Sequence, residues 1–393
     1  MSLRDEIESV LRAWNAHEVE RDGSPIIDFD CHPSGPEPEP APDRLTVYRR
    51  LAALRPDATG PLATRLDADL AYLGALLGEH PPLSEYVRAT QGCDAAGWPD
   101  DYVTHRADQA RTALADLGIP WGEKTNAELR QAEGLLNASD APDAIRQAAE
   151  DLEPLVRQAT GSTAPYTLTI ETAEVDAYWA YWLDGAGYDV RLRLNLPNAE
   201  FTQTGARQFA LHEVLGHGLQ SASLTAQAEA EDVPWVRILS VHAPQQVMLE
   251  GLAQAWPLFL QPEDKILTAR VRLTLYLQLV LAQVHRAIND GTSAAECADH
   301  LRACVPWLTD KTMAGYLADR GTDPTHRSYM WAYPAGFDWF AALADADAKV
   351  SREVLHAAYR APLTPTDLAE LWPAGPPIGG PGGPVRLRQS PVS

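Results

Sequence analysis

The stretch FALHEVLGHGLQ, residues 209–220, decides how the rest of the sequence is interpreted. It is an apolar helical pattern that carries His212, Glu213 and His217. In a regular α-helix the five-residue step between the histidines turns the chain by about 500°, which leaves the two side chains about 140° apart. A π-type bulge brings them onto one face, and Gly216 lowers the cost of that distortion. The sequence therefore predicts a bulged helix with both histidines on the same side.

Two histidines and an adjacent glutamate on one helical face are typical of a hydrolytic zinc site. Such a site takes three protein ligands and keeps a fourth position open for water. The candidate third ligand is Glu250 in the segment MLEGLAQ, residues 248–254, whose small residues allow close helix packing. The sequence thus predicts Zn²⁺ bound by His212, His217 and Glu250. Glu213 is then the general base, which takes a proton from the water as it attacks a carbonyl.

Just before this helix the sequence changes to a strand pattern. Segments 166–172, 175–183 and 188–196 are rich in Thr, Val, Tyr and Trp, which favour strands. The sequence DGAG at 184–187 predicts a hairpin-like turn. The strand at 188–196 is a candidate sheet edge, which an extended peptide could join as an added strand.

The remaining sequence is mostly helical in pattern, so we expect a mainly α fold with a small three-stranded β-sheet before the active-site helix. The helical patterns fall at 3–20, 44–56, 60–79, 82–91, 100–117, 125–137, 141–160, 203–225, 245–260, 264–290, 293–305, 308–320, 336–348, 350–361 and 364–372. We divide the chain into an N-terminal helical region at 1–160, a catalytic region at 161–372 and a disordered Pro/Gly-rich tail at 373–393.

The His-Glu helix resembles the gluzincins, zinc peptidases whose third ligand is a Glu from a second helix. HEVLGH is similar to the HELLGH of dipeptidyl peptidase III, and the tubulin tyrosine carboxypeptidases share the HExxxH spacing with a later Glu. A bacterial peptidase-like family of unknown function carries HExxPGHHLQ, then EGWA, then a Tyr and Pro-Gly segment. Residues 212–220 (HEVLGHGLQ), 249–253 (LEGLA) and 327–336 (RSYMWAYPAG) resemble those three parts in the same order.

The resemblance implies a zincin-like α+β fold and further site residues. It implies that Tyr329 or Tyr333 donates a hydrogen bond to the oxyanion. It also implies that His326 or Arg327 binds a substrate carboxylate or the oxyanion. The alternative for the two tyrosines is a core role, because aromatic residues four apart on a helix usually pack together.

The charge of the chain excludes several classes of partner. It carries 32 Lys and Arg against 54 Asp and Glu, a net charge of −22. A binder of nucleic-acid phosphates needs a basic surface, and an anionic membrane repels such a chain, so we expect neither partner. The start MSLRDEIESV is acidic where a signal peptide is apolar, and the apolar stretch 273–284 is too short to span a bilayer. Four Cys do not make a disulfide framework in a chain of this length, so we expect a cytoplasmic bacterial protein.

Two further segments contain reactive side chains. His242 stands shortly before Glu250 and is a substrate contact, an alternative ligand or, as we favour, a core or loop histidine. The pair Cys31-His32 lies in a Pro-rich loop after DFD at 28–30. A catalytic Cys needs a base positioned from elsewhere in the fold, so we predict no catalysis there.

These residues support one leading function and two alternatives. The leading hypothesis is a zinc-dependent hydrolase, carboxypeptidase-like or another peptidase, acting on a peptide or small amide substrate. The second is a zinc enzyme that tailors a small non-peptide metabolite. The third is a catalytically dead helical binding or scaffold protein.

Overall fold

The computed structural model describes residues 2–33, 38–175, 180–198 and 200–388. The chain is mainly helical, with 62% of residues in helices and 7% in strands. The α-helices of the described residues are α1 (Leu3–Glu20), α2 (Arg44–Leu54), α3 (Gly60–Leu76), α4 (Leu83–Gln91), α5 (Asp100–Ala115), α6 (Thr125–Ala132), α7 (Ala141–Thr160), α8 (Gln203–Phe209), α9 (Gln220–Ala230), α10 (Gln246–Leu260), α11 (Lys265–Asn289), α12 (Ala294–Cys304), α13 (Asp310–Leu317), α14 (Pro324–Ala344), α15 (Ala348–Ala358) and α16 (Pro365–Leu371). A π-helix, Ala210–Leu219, joins α8 to α9.

The strands form one mixed sheet in the order β2-β4-β3-β1-β5. The strands are β1 (Phe29–Asp30), β2 (Thr167–Ala173), β3 (Tyr181–Ala186), β4 (Asp189–Asn195) and β5 (Ile238–Leu239). The prediction of three strands is wrong, because β1 and β5 add one strand each. These two are only two residues long, too short to show an alternating pattern. Residues 176–179 of the second predicted strand lie outside the described residues.

The pairing of β4 corrects two expectations. β4 pairs in parallel with β2 and antiparallel with β3, so both of its sides are already hydrogen-bonded. The prediction that this strand is a free sheet edge is therefore wrong, and β2 and β5 are the outer strands of the described sheet. The turn between β3 and β4 is Gly187-Tyr188 rather than 184–187, since Ala186 already pairs with Asp189. Gly187 has a φ of +61°, which glycine adopts without strain.

Helix α14 begins earlier than the predicted helix at 336–348. The Asp323 side chain accepts a hydrogen bond of 2.8 Å from the backbone N–H of His326, which caps the helix start. Pro324 occupies the first turn, where its missing N–H costs nothing. Pro334 lies inside the helix, and packing against α10 overrides its poor helix propensity.

The buried apolar side chains form two clusters. The larger one takes residues from α5 and α7, before residue 160, and from the π-helix, α10, α11 and α14, after it. The smaller one lies among α1 to α4 and includes Val236, shortly before β5, and Ile238, which begins β5. The segment around β5 therefore links the first four helices to the rest of the fold.

The expectation of a disordered tail is wrong for residues 373–388. This segment contains no helix or strand beyond α16, yet it packs on the body of the protein. The Gly97 N–H donates to the Gly379 carbonyl at 2.8 Å, and the Arg388 N–H donates to His300 Nδ1 at 2.9 Å. Residues 389–393 lie outside the described residues.

Two further observations concern the cysteines and the membrane. All four cysteines are buried and free, as expected for a chain without a disulfide framework. Within the described ranges, no helix combines the length and the apolar character needed to cross a bilayer.

Candidate metal centre

The π-helix brings the two histidines together. Its hydrogen bonds run from residue i to i+5, so residues five apart stack on one face. His212 Nε2 and His217 Nε2 lie 3.2 Å apart. The predicted distortion is therefore present, but it extends over the ten residues Ala210–Leu219 rather than over a single bulge.

Small residues allow this helix to distort and to pack closely. A Cβ on Gly216 would lie 2.7 Å from the Leu211 carbonyl oxygen and 3.0 Å from the Ala253 Cβ on α10. No side chain fits in that space, so glycine is required at this position. The Tyr359 hydroxyl donates to the Leu215 carbonyl at 2.7 Å, which satisfies one acceptor of the π-helix.

A second close contact places Glu250. Helices α10 and α14 touch through Gly251 and Gly336, where a Cβ on Gly251 would lie 2.3 Å from the Gly336 carbonyl carbon. This contact fixes the face of α10 that carries Glu250. Glu250 Oε2 lies 3.4 Å from His212 Nε2 and 3.7 Å from His217 Nε2. We call His212, His217 and Glu250 the candidate metal centre.

The candidate metal centre has the geometry that a zinc ion requires. Its three ligand atoms are separated by 3.2, 3.4 and 3.7 Å. A tetrahedral zinc with bonds of about 2.0–2.2 Å holds its ligands about 3.3–3.6 Å apart. Glu250 is only 3% exposed, and its Oε2 has no hydrogen-bond partner among the described residues. Because a buried carboxylate oxygen without a partner is costly, the donor set fits a bound cation.

The charges in the centre act strongly on one another. Burial opposes ionisation of Glu250, but His217 and His212 hold the pKa of its carboxyl well below the usual range. Burial also opposes the protonation of His217, yet the Glu250 charge raises the pKa of that imidazole. The ligand atoms thus stabilise opposite charges in one another when no metal is bound.

Glu213 lies beside the ligand atoms without joining them. It is 6% exposed, and its Oε1 lies 3.6 Å from His212 Nε2. Burial raises the pKa of its carboxyl, while the two histidines act in the opposite direction. A carboxylate at this position and with a raised pKa is suited to accept and return a proton.

Two predicted tyrosines also reach the centre. The Tyr329 hydroxyl donates to Glu250 Oε1, and the hydroxyls of Tyr329 and Tyr333 lie 2.8 Å apart. Each hydroxyl has one proton, so Tyr333 donates to Tyr329 when Tyr329 donates to Glu250. Burial and then the Glu250 charge raise the pKa of both hydroxyls well above the usual value, which keeps them protonated. Tyr329 therefore orients the third ligand.

His326 and Arg327 are placed away from the centre. His326 is exposed, and its Nδ1 lies 2.9 Å from Asp323. Arg327 is buried, and it donates to Asn289 Oδ1 at 2.9 Å and to the Pro81 carbonyl at 2.8 Å. Neither contacts a residue of the candidate metal centre within the described part of the chain.

His242 belongs to a different buried cluster, which confirms that it is a core histidine. Its Nε2 lies 2.8 Å from Asp69 Oδ1, and Arg65 Nε donates to the same carboxylate at 2.9 Å. The imidazole stacks on Tyr72 with ring centroids 4.3 Å apart. We call Arg65, Asp69 and His242 the core network.

Two residues near the centre were missed in the sequence. Tyr181 begins β3 and its side chain is 49% exposed, while partial burial and the charges of Glu213 and Glu250 raise the pKa of its hydroxyl. Asp28 lies directly before β1, and its Oδ2 accepts a hydrogen bond of 3.2 Å from Gln246 on α10. Tyr181 lies in the strand predicted at 175–183, just before the His-Glu helix in the sequence, but no role was predicted for it. No sequence pattern in the loop indicated a role for Asp28.

Comparison with known proteins supports the fold and no activity. No protein-family model matches the chain, and no curated protein matches it. A solved structure described as the putative lipoprotein from Colwellia psychrerythraea is similar, with a TM-score of 0.54 and 13% sequence identity. The match covers 83% of this chain and 59% of that one, so this chain spans about three fifths of its neighbour. At this identity the likeness concerns the fold alone.

Proposed function

We propose that this chain is a zinc-dependent hydrolase with a zincin-like α+β fold, which cleaves an amide or peptide bond. One observation carries the proposal: three donor atoms 3.2–3.7 Å apart include a buried carboxylate oxygen without a hydrogen-bond partner. Glu213 stands next to these atoms with a raised pKa, which is the position that a general base requires.

The candidate metal centre would hold zinc through the Nε2 atoms of both histidines and Oε2 of Glu250. When bound, zinc lowers the pKa of a water to about 7 and polarises a carbonyl oxygen. Tyr329 keeps Glu250 in place by binding its other oxygen, as the outer partners of metal ligands commonly do.

Glu213 moves the proton in this proposal. Its carboxylate accepts a proton from the water whose oxygen forms a bond to the carbonyl carbon. The same carboxyl then gives that proton to the leaving nitrogen as the C–N bond breaks. Burial makes both transfers easier, because it raises the pKa of the Glu213 carboxyl toward neutral pH.

The oxyanion contact is assigned to a tyrosine other than Tyr329. The Tyr329 proton is directed to Glu250, so this hydroxyl is a positioning group. The Tyr333 proton is directed to Tyr329 in the same way. Tyr181 is the donor that we propose for the oxyanion, since its hydroxyl stays protonated near the carboxylates. The proposed role of Arg327 or His326 in binding a carboxylate has no support from their contacts.

The experiment that tests this function is Glu213→Gln with a peptide library as the substrate. We expect turnover to fall by about 10²- to 10⁴-fold while zinc stays bound, because the base is lost and the ligands remain. Glu263→Gln, an exposed carboxylate on the loop before α11, is the matched control and should keep full activity. Retained activity in Glu213→Gln would contradict the assignment. Cleavage of small amides but no peptide would favour the non-peptide alternative.

We also propose a cytoplasmic location. Four buried free thiols support it, because free cysteines persist in reducing compartments. Fractionation of cells that express the chain tests the proposal, and recovery with the membrane fraction would contradict it.

A further inference from the structure

Asp28 lies beside the candidate metal centre although it comes from a distant loop. Its backbone N–H donates to the Leu239 carbonyl at 3.0 Å, which anchors the loop at β5. Its carboxylate accepts from Gln246 Nε2 at 3.2 Å. Gln246 and Glu250 are four residues apart on α10, so they share one helix face with about 5–6 Å between their Cβ atoms. Asp28 is therefore held at the face of α10 that carries the third ligand.

When all of its carboxyl groups are ionised, the site has more negative charge than a zinc ion neutralises. Asp28, Glu213 and Glu250 are three carboxyl groups, and a zinc ion carries two positive charges. In the described ranges, none of the three contacts an Arg or Lys side chain. Burial and then the charge of Glu250 raise the pKa of Asp28 to about 7, which places its carboxyl in the electrostatic field of the centre. A zinc ion held by the candidate metal centre would lower that pKa, because a nearby cation favours the carboxylate.

Asp28 differs from its neighbour Asp30 because no Arg or Lys side chain among the described residues forms a hydrogen bond with it. Asp30 accepts two hydrogen bonds from Arg12, at 2.9 and 3.0 Å. Asp28 accepts one hydrogen bond from a neutral amide and is only partly buried. An accessible carboxylate with a single neutral partner retains capacity to bind a cation from outside.

We propose that Asp28 binds a protonated amino group of the substrate, so that the site takes amides with an ammonium group next to the reacting carbonyl. The first residue of a peptide has this chemistry. The inference rests on the proposed zinc hydrolase function and names its substrate class. Recognition of a terminal carboxylate is disfavoured, because three acids surround the site and Arg327 and His326 contact other groups.

The test uses two probes that differ only in the amino group. Leucine hydroxamate and N-acetyl-leucine hydroxamate share a zinc-binding group and a side chain, and only the first carries an ammonium group. We expect zinc-loaded wild-type protein to bind the free amine at least about tenfold more tightly in calorimetric titration, as a charge-assisted hydrogen bond provides. Asp28→Asn should lose this preference and keep its affinity for the acetylated probe. Asp30→Asn is the matched control and should retain the preference.

The outcomes separate this inference from the function on which it rests. Equal affinity of both probes for the zinc-loaded wild type overturns the role of Asp28 and leaves the zinc centre intact. Loss of zinc and of both affinities in Asp28→Asn also overturns it, since Asp28 would then position the ligands. Wild-type protein that retains neither zinc nor probe contradicts the proposed function itself. Because the wild-type comparison needs no variant, the test holds even if Asp28→Asn fails to fold.

Discussion

The protein contains two buried clusters in which a histidine contacts a carboxylate. They differ in the source of the positive charge that neutralises the carboxylate. In the core network Arg65 Nε binds both Asp69 oxygens, at 2.9 and 3.1 Å, and His242 lies 2.8 Å from one of them. In the candidate metal centre the Glu250 Oε2 atom has no hydrogen-bond partner among the described residues. The first cluster supplies its own cation, whereas the second fits a cation from outside.

The core network also has a location suited to a structural role. Arg65 donates to Ser240 Oγ at 2.8 Å and to the Ile238 carbonyl, so helix α3 is tied to β5 and to the chain that leads into α10. A paired buried charge of this kind holds elements in register. The comparison teaches that burial and a His–carboxylate contact do not by themselves mark a metal site. The feature that separates the two clusters is the Glu250 oxygen without a hydrogen-bond partner among the described residues.

The largest expected effect is on the free energy of unfolding of the zinc-free protein, where the two clusters should respond differently to loss of a carboxylate. Asp69→Asn should lower the free energy of unfolding by about 3–5 kcal/mol, because Arg65 is then buried without its counter-charge. Glu250→Gln should also lower it, because the histidines hold the pKa of the Glu250 carboxyl below its usual range, but by less than Asp69→Asn, because Glu250 Oε2 has no hydrogen-bond partner among the described residues. Urea denaturation in the presence of a chelator measures both. Equal losses in the two variants would contradict the comparison.

The next effect concerns the cation itself. Zinc at about 100 times its dissociation constant should stabilise the wild type by about 2.7 kcal/mol, because it binds only the folded site. Denaturation with and without zinc measures this gain. Glu250→Gln should show none of it, and His326→Ala, which changes an exposed histidine outside the centre, should show all of it. A gain that survives in Glu250→Gln would mean that zinc binds elsewhere.

The last effect is a difference in the pH dependence of stability between Asp28, beside the candidate metal centre, and Asp69 in the core network. The folded pKa of Asp28 is about 7 against an ordinary value of 3.8, so its contribution to stability falls as pH rises between these values. Zinc-free Asp28→Asn should therefore be more stable than the wild type at pH 8 and about equal to it near pH 4.

The contribution of Asp69 to stability should change with pH in the opposite direction. Its pKa is lowered in the folded protein, because the charges of Arg65 and His242 outweigh the effect of burial. The Asp69 carboxylate stabilises the fold above its unfolded pKa of 3.8. This stabilisation is lost as the pH falls through the lower pKa of the folded state. Melting temperatures of Asp28→Asn and Asp69→Asn from pH 3 to 8 measure both trends. Parallel curves for the two variants would refute the distinction.

The sequence predicted the centre because its chemistry is local. His212, Glu213 and His217 lie in one segment, and the five-residue spacing requires a distorted helix if both histidines are to share a metal. Glu250 was predicted because it begins a helix with small neighbours, and the contact of Gly251 with Gly336 explains why those residues are small. The structure places the four residues together, and zinc binding stays a prediction.

The residues that were missed depend on long-range contacts. The pairing of β1 with β3 and β5 holds Asp28 beside the face of α10 that carries Glu250, and a two-residue strand has no readable pattern. The start of α14 was missed because Pro334 argues against a helix locally, while packing on α10 supports it. The tail at 373–388 was expected to be disordered because its composition gave no sign of its contacts with Gly97 and His300.

The metal content of the purified protein tests the central claim most directly. Mass spectrometry for metals should find about one zinc per chain in the wild type, as a single three-ligand site requires. His217→Ala should lose that zinc, and His326→Ala should keep it. If neither the wild type nor the variants retain zinc after reconstitution, the candidate metal centre is not a metal site and the proposed hydrolase is contradicted.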